Sequence, residues 1–360
     1  MKAGIFDPYL DILGGGERYM MTIAECLSKH GHQVDVFWKN KKIKEKLQIR
    51  FNLDLSEIKF CSTGFQNFNQ GKNLFKKFKI CRNYNLFIYL SDGSIPFLFS
   101  GKNIIHFQVP FHGVGGRSLL NRVKLRLVDK IICNSEFTKK FIDKEYGVNA
   151  ITVYPPVDIK AFKPLKKEKI ILSVGRFDSP LHAKNQDVLI DRFKRMIKEN
   201  ADGFLNGWKL ILIGGMQSKN QGYINKLRRK AKNSAIEILV NVDFKTLQKF
   251  YGQAKIYWHA AGFGIDEEKE PEKVEHFGIT TVEAMAAGCV PVVIKKGGQK
   301  EIVEHAINGF LWETEERLVE YTLQLIKEEK LRQKFSIQAV KSSKRFSKER
   351  FYEKIKNSIA

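Results

Sequence analysis

Two glutamates eight positions apart, Glu275 and Glu283, bracket a segment that changes character midway: EHFGITTVEAMAAG, residues 275–288. Through Gly278 the residues suit a tight loop, because glycine relieves the backbone restriction that helices impose. From Thr280 onward they are helix formers, and Gly288 marks the stop. The first carboxylate therefore belongs to a loop and the second to the first turns of a helix. A helix start presents backbone N–H groups with no acceptor of their own, which makes a seat for phosphate. Carboxylates beside that seat repel phosphate, but they accept hydrogen bonds from sugar hydroxyls flanking a diphosphate, one set on a hexose and one on a ribose. Upstream, Arg176 follows the apolar stretch Ile170–Val174, and Lys184 lies eight residues later. An arginine and a lysine projecting into one cleft give a diphosphate charge neutralisation in the ground state, and more as it departs. The same residues also allow a plainer description: a loop and amphipathic helix with two solvated glutamates, and two surface cations.

Glu-x7-Glu within this wording resembles the donor-site signature of the large retaining glycosyltransferase family 4. That family includes sucrose synthases, phosphatidylinositol mannosyltransferases and lipopolysaccharide-core transferases. The EHFGI phrase is most similar to the dolichol-linked-oligosaccharide mannosyltransferase branch and its bacterial relatives, and the similarity runs over nearly the whole chain. It implies the GT-B form of an α/β fold, two facing Rossmann-like domains with a cleft between them and a last helix returning to the first domain. It implies that Glu275 holds the donor hexose, Glu283 the ribose, and Arg176 and Lys184 the diphosphate. Phe277, Gly278, Ile279 and Thr280 then belong to the donor seat. Gly15, Gly16 and Glu17 form a GGxE-type loop near the donor phosphate and the acceptor, and His106 contacts the donor sugar. The base is read near Phe244, largely by backbone groups, so side chains do not distinguish uracil from guanine. Metal and cofactor are not expected, since arginine and lysine carry the charge. In one respect the chain departs from the family: the Arg176–Lys184 spacing is two residues longer, through residues 179–182.

Composition bounds these readings. A chain of 360 residues is long for one core, so two domains are expected. Five scattered cysteines without a Cys-x-x-Cys argue for a reducing compartment and against a disulfide framework or zinc site. Asp7 and Asp11 fall too early for a signal peptide, and no apolar run approaches the ~20 residues that span a membrane. A cytoplasmic protein is expected, at most peripheral on the inner face of the membrane. The net charge is +23, divided evenly: residues 1–150 hold 24 Lys+Arg against 13 Asp+Glu, the rest 38 against 26. A solvated surface explains such a charge, and so does attraction to anionic lipid or glycan. Nucleic acid is disfavoured for want of a reader motif.

The elements that must position these residues alternate strand and helix. Residues 3–6 read as a strand, followed by Gly14-Gly15-Gly16-Glu17 opening a helix to about Lys29, a Rossmann-like start. It is not Gly-x-Gly-x-x-Gly, so a nicotinamide dinucleotide is not supported, and Asp35 in the second strand is read as a strand-edge residue. Leu-Phe-Ile-Tyr-Leu at 86–90 suits a buried parallel strand. His106 lies near the end of the strand at 103–107. Residues 117–128 (RSLLNRVKLRLV) read as a helix against the sheet, and the basic runs 39–46 and 72–82 as candidates for membrane contact. Pro155-Pro156 mark a hinge. The first domain is expected at 1–154, a linker at 155–168, the second domain at 169–343 and the returning helix at 344–360. Five acids at 266–272 are too unpatterned for a metal and read as a mobile rim of the donor cleft.

The function expected is retaining transfer of a hexose, with GDP-mannose the favoured donor, to a glycan or lipid-linked acceptor. The same fold using a UDP-sugar is the alternative, and a non-catalytic basic module for anionic lipid or glycan is the alternative of a different class.

Overall fold

The computed structural model describes residues 1–62, 64–69, 73–177, 183–199, 203–216 and 220–359. It divides into two compact units, residues 1–156 with 349–360, and residues 157–348. Each is a parallel sheet with helices on its faces, the arrangement that near-continuous apolar strands demand because both faces must be covered.

In the first unit, β1 (Lys2–Phe6), β2 (Gln33–Phe37), β3 (Lys59–Cys61), β4 (Leu86–Leu90), β5 (Lys102–Phe107), β6 (Lys130–Cys133) and β7 (Ile151–Thr152) form one sheet. Its order is β3-β2-β1-β4-β5-β6-β7, parallel throughout. The order reverses between β1 and β4, which opens a crevice at their carboxyl ends where such sheets place ligands. Asp35 is not at an edge: β2 lies between β1 and β3, and the carboxylate is buried, accepting from the Tyr84 hydroxyl at 2.8 Å and pairing with Lys2 at 3.4 Å. The closing helix Lys348–Ile359 packs here. Phe351 meets Tyr19 edge-on with centroids 4.9 Å apart, and the Tyr352 hydroxyl donates to buried Glu25 at 2.6 Å.

In the second unit, β8 (Ile170–Val174), β9 (Lys209–Gly214), β10 (Ile236–Val240), β11 (Ile256–His259), β12 (Val290–Ile294) and β13 (Phe310–Trp312) run in the order β10-β9-β8-β11-β12-β13, again parallel. The reversal falls between β8 and β11. Residues 157–168, expected as a linker, belong to this unit. Phe162 packs on Tyr251, and the half-buried Lys167 ammonium donates to the carbonyls of Ala254 (2.8 Å) and Ala287 (2.7 Å). Residues 344–348 also fall here, so only 349–360 of the expected return segment lie in the first unit.

Candidate functional site

The loop-to-helix reading of residues 275–288 matches the geometry. The helix Ile279–Ala286 starts from Gly278 and stops at Gly288. Gly278 has φ +116°, where a side chain is strained, and an added Cβ would stand 2.2 Å from Gln299 Nε2. The Thr281 hydroxyl donates to Gln299 Oε1 at 2.9 Å, tying the first turn to the next helix. The Tyr257 hydroxyl contacts both the Val174 carbonyl (3.2 Å) and Thr280 Oγ1 (2.8 Å). These bonds dock the helix start against the end of β8, where Gly175 and Arg176 follow.

Lys184 returns to the same place. Its chain packs over Gly175, whose added Cβ would meet Lys184 Cγ at 2.9 Å, and its ammonium reaches Glu275 Oε2 at 2.7 Å. Gln186 anchors the approach, its amide donating to the Arg176 carbonyl at 3.1 Å. His259, the last residue of β11, holds the same Glu275 oxygen at 3.1 Å. Because a carboxylate can only accept, the imidazole donates through Nε2–H. Lys184 and Glu275 side chains are each 21% exposed, His259 only 4%. Burial by itself would raise the Glu275 carboxyl, but the Lys184 ammonium and then His259 override it and hold it well below the usual carboxylate range. Burial lowers His259, with Glu275 opposing, so the ring is neutral at pH 7. Glu283 is buried on the second helical turn, and the Tyr251 hydroxyl donates to its Oε2 at 3.0 Å.

The structure thus gathers Lys184, Glu275, the Arg176 loop and the Gly278–Thr280 helix start at the reversal point of the second sheet. Phe277 contributes backbone only: its ring is buried and meets Phe346 edge-on, 5.2 Å between centroids. Ile279 and Thr280 are half-buried. Phe244 opens the Phe244–Gln253 helix, 55% exposed, on the element that also carries Tyr251. The extra residues 179–182 lie outside the described residues. The acidic run is not a mobile rim. Glu267 accepts from Gly297 N at 2.6 Å and from Lys300 at 2.5 Å, and Lys296 binds the Ile265 carbonyl, which fastens the loop to the turn after β12.

In the first unit the Gly15–Lys29 helix opens at the reversal point of that sheet. Gly15 is exposed. Gly16 sits under Gln108, whose amide donates to the Gly16 carbonyl at 3.1 Å. The buried Glu17 carboxylate accepts from Gly14 N at 2.6 Å. Nearby Asp7 is fully buried, and burial followed by the Glu17 charge pushes its carboxyl well above the ordinary range. His106 departs from its expected role as a sugar contact. The side chain is fully buried, stacked on Tyr19 with centroids 4.0 Å apart, and its Nδ1–H donates to the Ile132 carbonyl at 3.1 Å. Burial drops its pKa to about 3. A central parallel strand covered on both faces leaves such a residue no solvent side, so His106 is a core group in this structure.

Sequence reasoning missed His259, Tyr257, Tyr251 and Gln299. For His259 a signal existed: it closes a strand beside the reversal point, as Arg176 nearly does.

A family model described as Glycosyl transferases group 1 matches residues 157–342, and one described as Glycosyltransferase Family 4 matches residues 13–161. This chain belongs to the group 1, family 4 glycosyltransferases. Among curated relatives of this glycosyltransferase, the GDP-Man:Man(3)GlcNAc(2)-PP-Dol alpha-1,2-mannosyltransferase of Mus musculus is 32% identical over 62% of the chain and 46% of its own length. The Homo sapiens counterpart is 31% identical over 71% and 51%. The chain thus spans about half the length of these relatives. An uncharacterized glycosyltransferase of Haemophilus influenzae is 26% identical over 87% of the chain and 86% of its own length. Anabaena HepE in complex with UDP shares the fold over 100% of this chain and 99% of its own, with TM-score 0.74 and 18% identity. Sucrose-phosphate synthase of Thermosynechococcus elongatus does so over 100% and 98%, with TM-score 0.69 and 15% identity. The two parallel sheets are those of the GT-B fold.

Proposed function

We propose that this glycosyltransferase moves a hexose from a nucleotide diphosphate sugar to a glycan or lipid-linked acceptor hydroxyl with retained anomeric configuration, and that the donor is GDP-mannose. One observation carries the reading: a cation and a carboxylate in contact, Lys184 and Glu275, beside a helix start and an arginine loop. In a sugar nucleotide the phosphate and the hexose ring are covalent neighbours, so a donor for phosphate oxygens next to an acceptor for sugar hydroxyls reads both at once. Glu275, oriented by neutral His259, holds the hexose, and Glu283 takes the ribose. Arg176, Lys184 and the N–H groups at Gly278–Thr280 neutralise the departing diphosphate, which accepts the proton of the attacking acceptor on the same face. These groups supply the charge without a metal ion.

The relatives named as mannosyltransferases support the donor preference and a lipid-linked acceptor. Such an acceptor puts the work at a membrane surface. Among the described residues no helix is long and apolar enough to cross a membrane.

Thermal melting with UDP-, GDP- and ADP-sugars tests the reading, because a ligand that binds only the folded state raises its stability. GDP-mannose should raise the melting temperature most, and a larger rise with a UDP-sugar would move the donor to uridine. No stabilisation by any of them overturns the donor site. Glu275→Ala and Lys184→Ala should abolish transfer while the chain stays folded, whereas a non-catalytic basic module would keep salt-sensitive binding in both.

A further inference from the structure

The Leu119–Leu125 helix was expected to pack on the sheet, yet none of its residues is buried. Leu119 is 80% exposed and Leu120 57%, with Val123 and Leu127 also turned out. The helix is held in this position by its entry. Glu145 accepts from the N–H groups of Gly113 (2.8 Å), Val114 (3.1 Å) and Gly116 (2.8 Å), and Arg117 Nε donates to the Lys144 carbonyl at 3.1 Å. A loop fixed by three charge-assisted bonds presents the helix outward as a built feature.

Beside it stands the Leu74–Cys81 helix, with Phe75 75% and Phe78 43% exposed. Aromatic rings bridge the two: Phe78 meets Phe99 at 5.3 Å, Phe99 stacks parallel to Phe97 at 6.1 Å, and the Lys124 ammonium lies 5.3 Å over Phe97. Lys77 and Lys124 are close enough that, after burial, the Lys124 charge helps push the Lys77 ammonium down. Residues 71–128 contain ten Lys+Arg and a single acid, Asp92. The two helices with their caps carry Lys76, Lys77, Lys79, Arg82, Arg122, Lys124 and Arg126 and no acid, so the face combines exposed large apolar side chains with an undiluted positive charge.

We infer that the face built from the Leu74–Cys81 and Leu119–Leu125 helices docks on an anionic lipid bilayer. Its leucines and phenylalanines seat at headgroup depth, and its lysines and arginines meet the lipid phosphates. Both parts are needed. Apolar side chains at an interface gain from leaving water, and long cationic side chains keep their heads at the phosphates while their stems lie along the apolar layer. The same charge repels a second copy of the face, which argues against a self-association surface. This docking deepens the lipid-linked acceptor proposed above and rests on that reading for its purpose.

The test is co-sedimentation of the full chain with large vesicles of phosphatidylcholine, alone or with about 30% phosphatidylglycerol, at low and high salt. Binding should need the anionic lipid and weaken with salt. Each exposed cation contributes about fivefold, so Lys76→Ala, Lys79→Ala, Arg122→Ala and Arg126→Ala together should lower partitioning several hundredfold. Phe75→Ser with Leu119→Ser should lower it about tenfold or more at unchanged net charge. Removing four exposed cations of the second unit (Lys226→Ala, Arg228→Ala, Arg229→Ala, Lys245→Ala) should change it far less. Equal losses in the two charge variants overturn the assignment to this face, as does stronger retention on heparin or nucleic acid than on vesicles at the same salt. Dimerisation in sedimentation velocity that Leu119→Ser abolishes also overturns it. Absence of vesicle binding alongside an intact melting shift with a nucleotide sugar sinks this inference alone. Vesicle binding with no such shift leaves it standing and removes the donor reading.

Discussion

The contact between Lys184 and Glu275 sets a prediction that can be worked through. At 2.7 Å and an effective dielectric of about 20, two unit charges attract by roughly 6 kcal/mol before desolvation. Both side chains are only 21% exposed, so much of that is cancelled by water removed from each ion. Exposed pairs are worth at most about 1 kcal/mol, while removing one partner of a buried pair costs about 3–5. An intermediate cost of about 2 kcal/mol is expected for Lys184→Met, near 6 °C in the melting of a unit of this size. Glu275→Gln should cost a similar amount, and the double variant less than the sum, with a coupling of about 1–2 kcal/mol. The sign with pH follows from the depressed Glu275 carboxyl. A carboxylate held below its unfolded pKa of about 4.3 contributes stability that is fully present above that value and lost as pH falls through the lower folded value. The coupling should therefore stay flat from pH 8 to 5 and fade only below about 4. In turnover, losing one group aimed at developing phosphate charge should lower kcat by about 10²–10³ with a smaller change in KM. Chemical or thermal denaturation of the four proteins gives the cycle, and steady-state transfer gives the rate. A coupling indistinguishable from zero at pH 7, or a Lys184→Met enzyme within tenfold of the parent kcat, would refute the reasoning.

Three further outcomes follow from the geometry. His106, neutral and with its pKa depressed to about 3, binds fewer protons folded than unfolded below about pH 6.5. Stability should fall by about 1.4 kcal/mol per pH unit as pH drops through that window. His106→Phe should flatten this slope in melts at pH 6.5, 5.5 and 4.5; an unchanged slope would contradict the burial argument. Tyr251→Phe deletes the hydroxyl that donates to Glu283, costing about 1–2 kcal/mol and raising KM for the donor, read by melting and kinetics together; unaltered values would remove Tyr251 from the site. Gly298→Ala would place Cβ 2.4 Å from Phe277 Cα and 2.5 Å from the His276 carbonyl, so the donor loop must shift and transfer should drop at least about tenfold with the fold retained. Gly222→Ala, which meets nothing within 4 Å on a helix, should leave activity unchanged and stability equal or higher by up to about 1 kcal/mol.

Much of the scaffold is legible because buried parallel strands need unbroken apolar runs, and residues 86–90 and 170–174 are such runs. The loop and helix of 275–288 are legible for a local reason too, since Gly278 and Gly288 both take positive φ. What escaped depends on partners distant in sequence. Nothing near Leu119 announces that Glu145 holds its entry loop, so leucines between arginines look like a packed helix. The acids at 266–272 look loose until Gly297 and Lys300 fold back on Glu267. His106 and Asp35 look accessible until neighbouring strands flank them and packed side chains, Tyr19 over His106 and Tyr84 at Asp35, cover them. His259 lay in plain view, but its value comes only from the oxygen it shares with Lys184.

That shared oxygen also bears on fragments of the substrate. Inorganic phosphate or a free nucleotide would draw Lys184 away and strand Glu275 beside a neutral ring, while a free hexose would do the reverse to the lysine. Under the proposed donor reading, each half-ligand would leave an ion without its counterpart, and only the intact sugar ester would answer both. Spent nucleotide should therefore let go readily, and idle occupancy by cellular phosphate should be low.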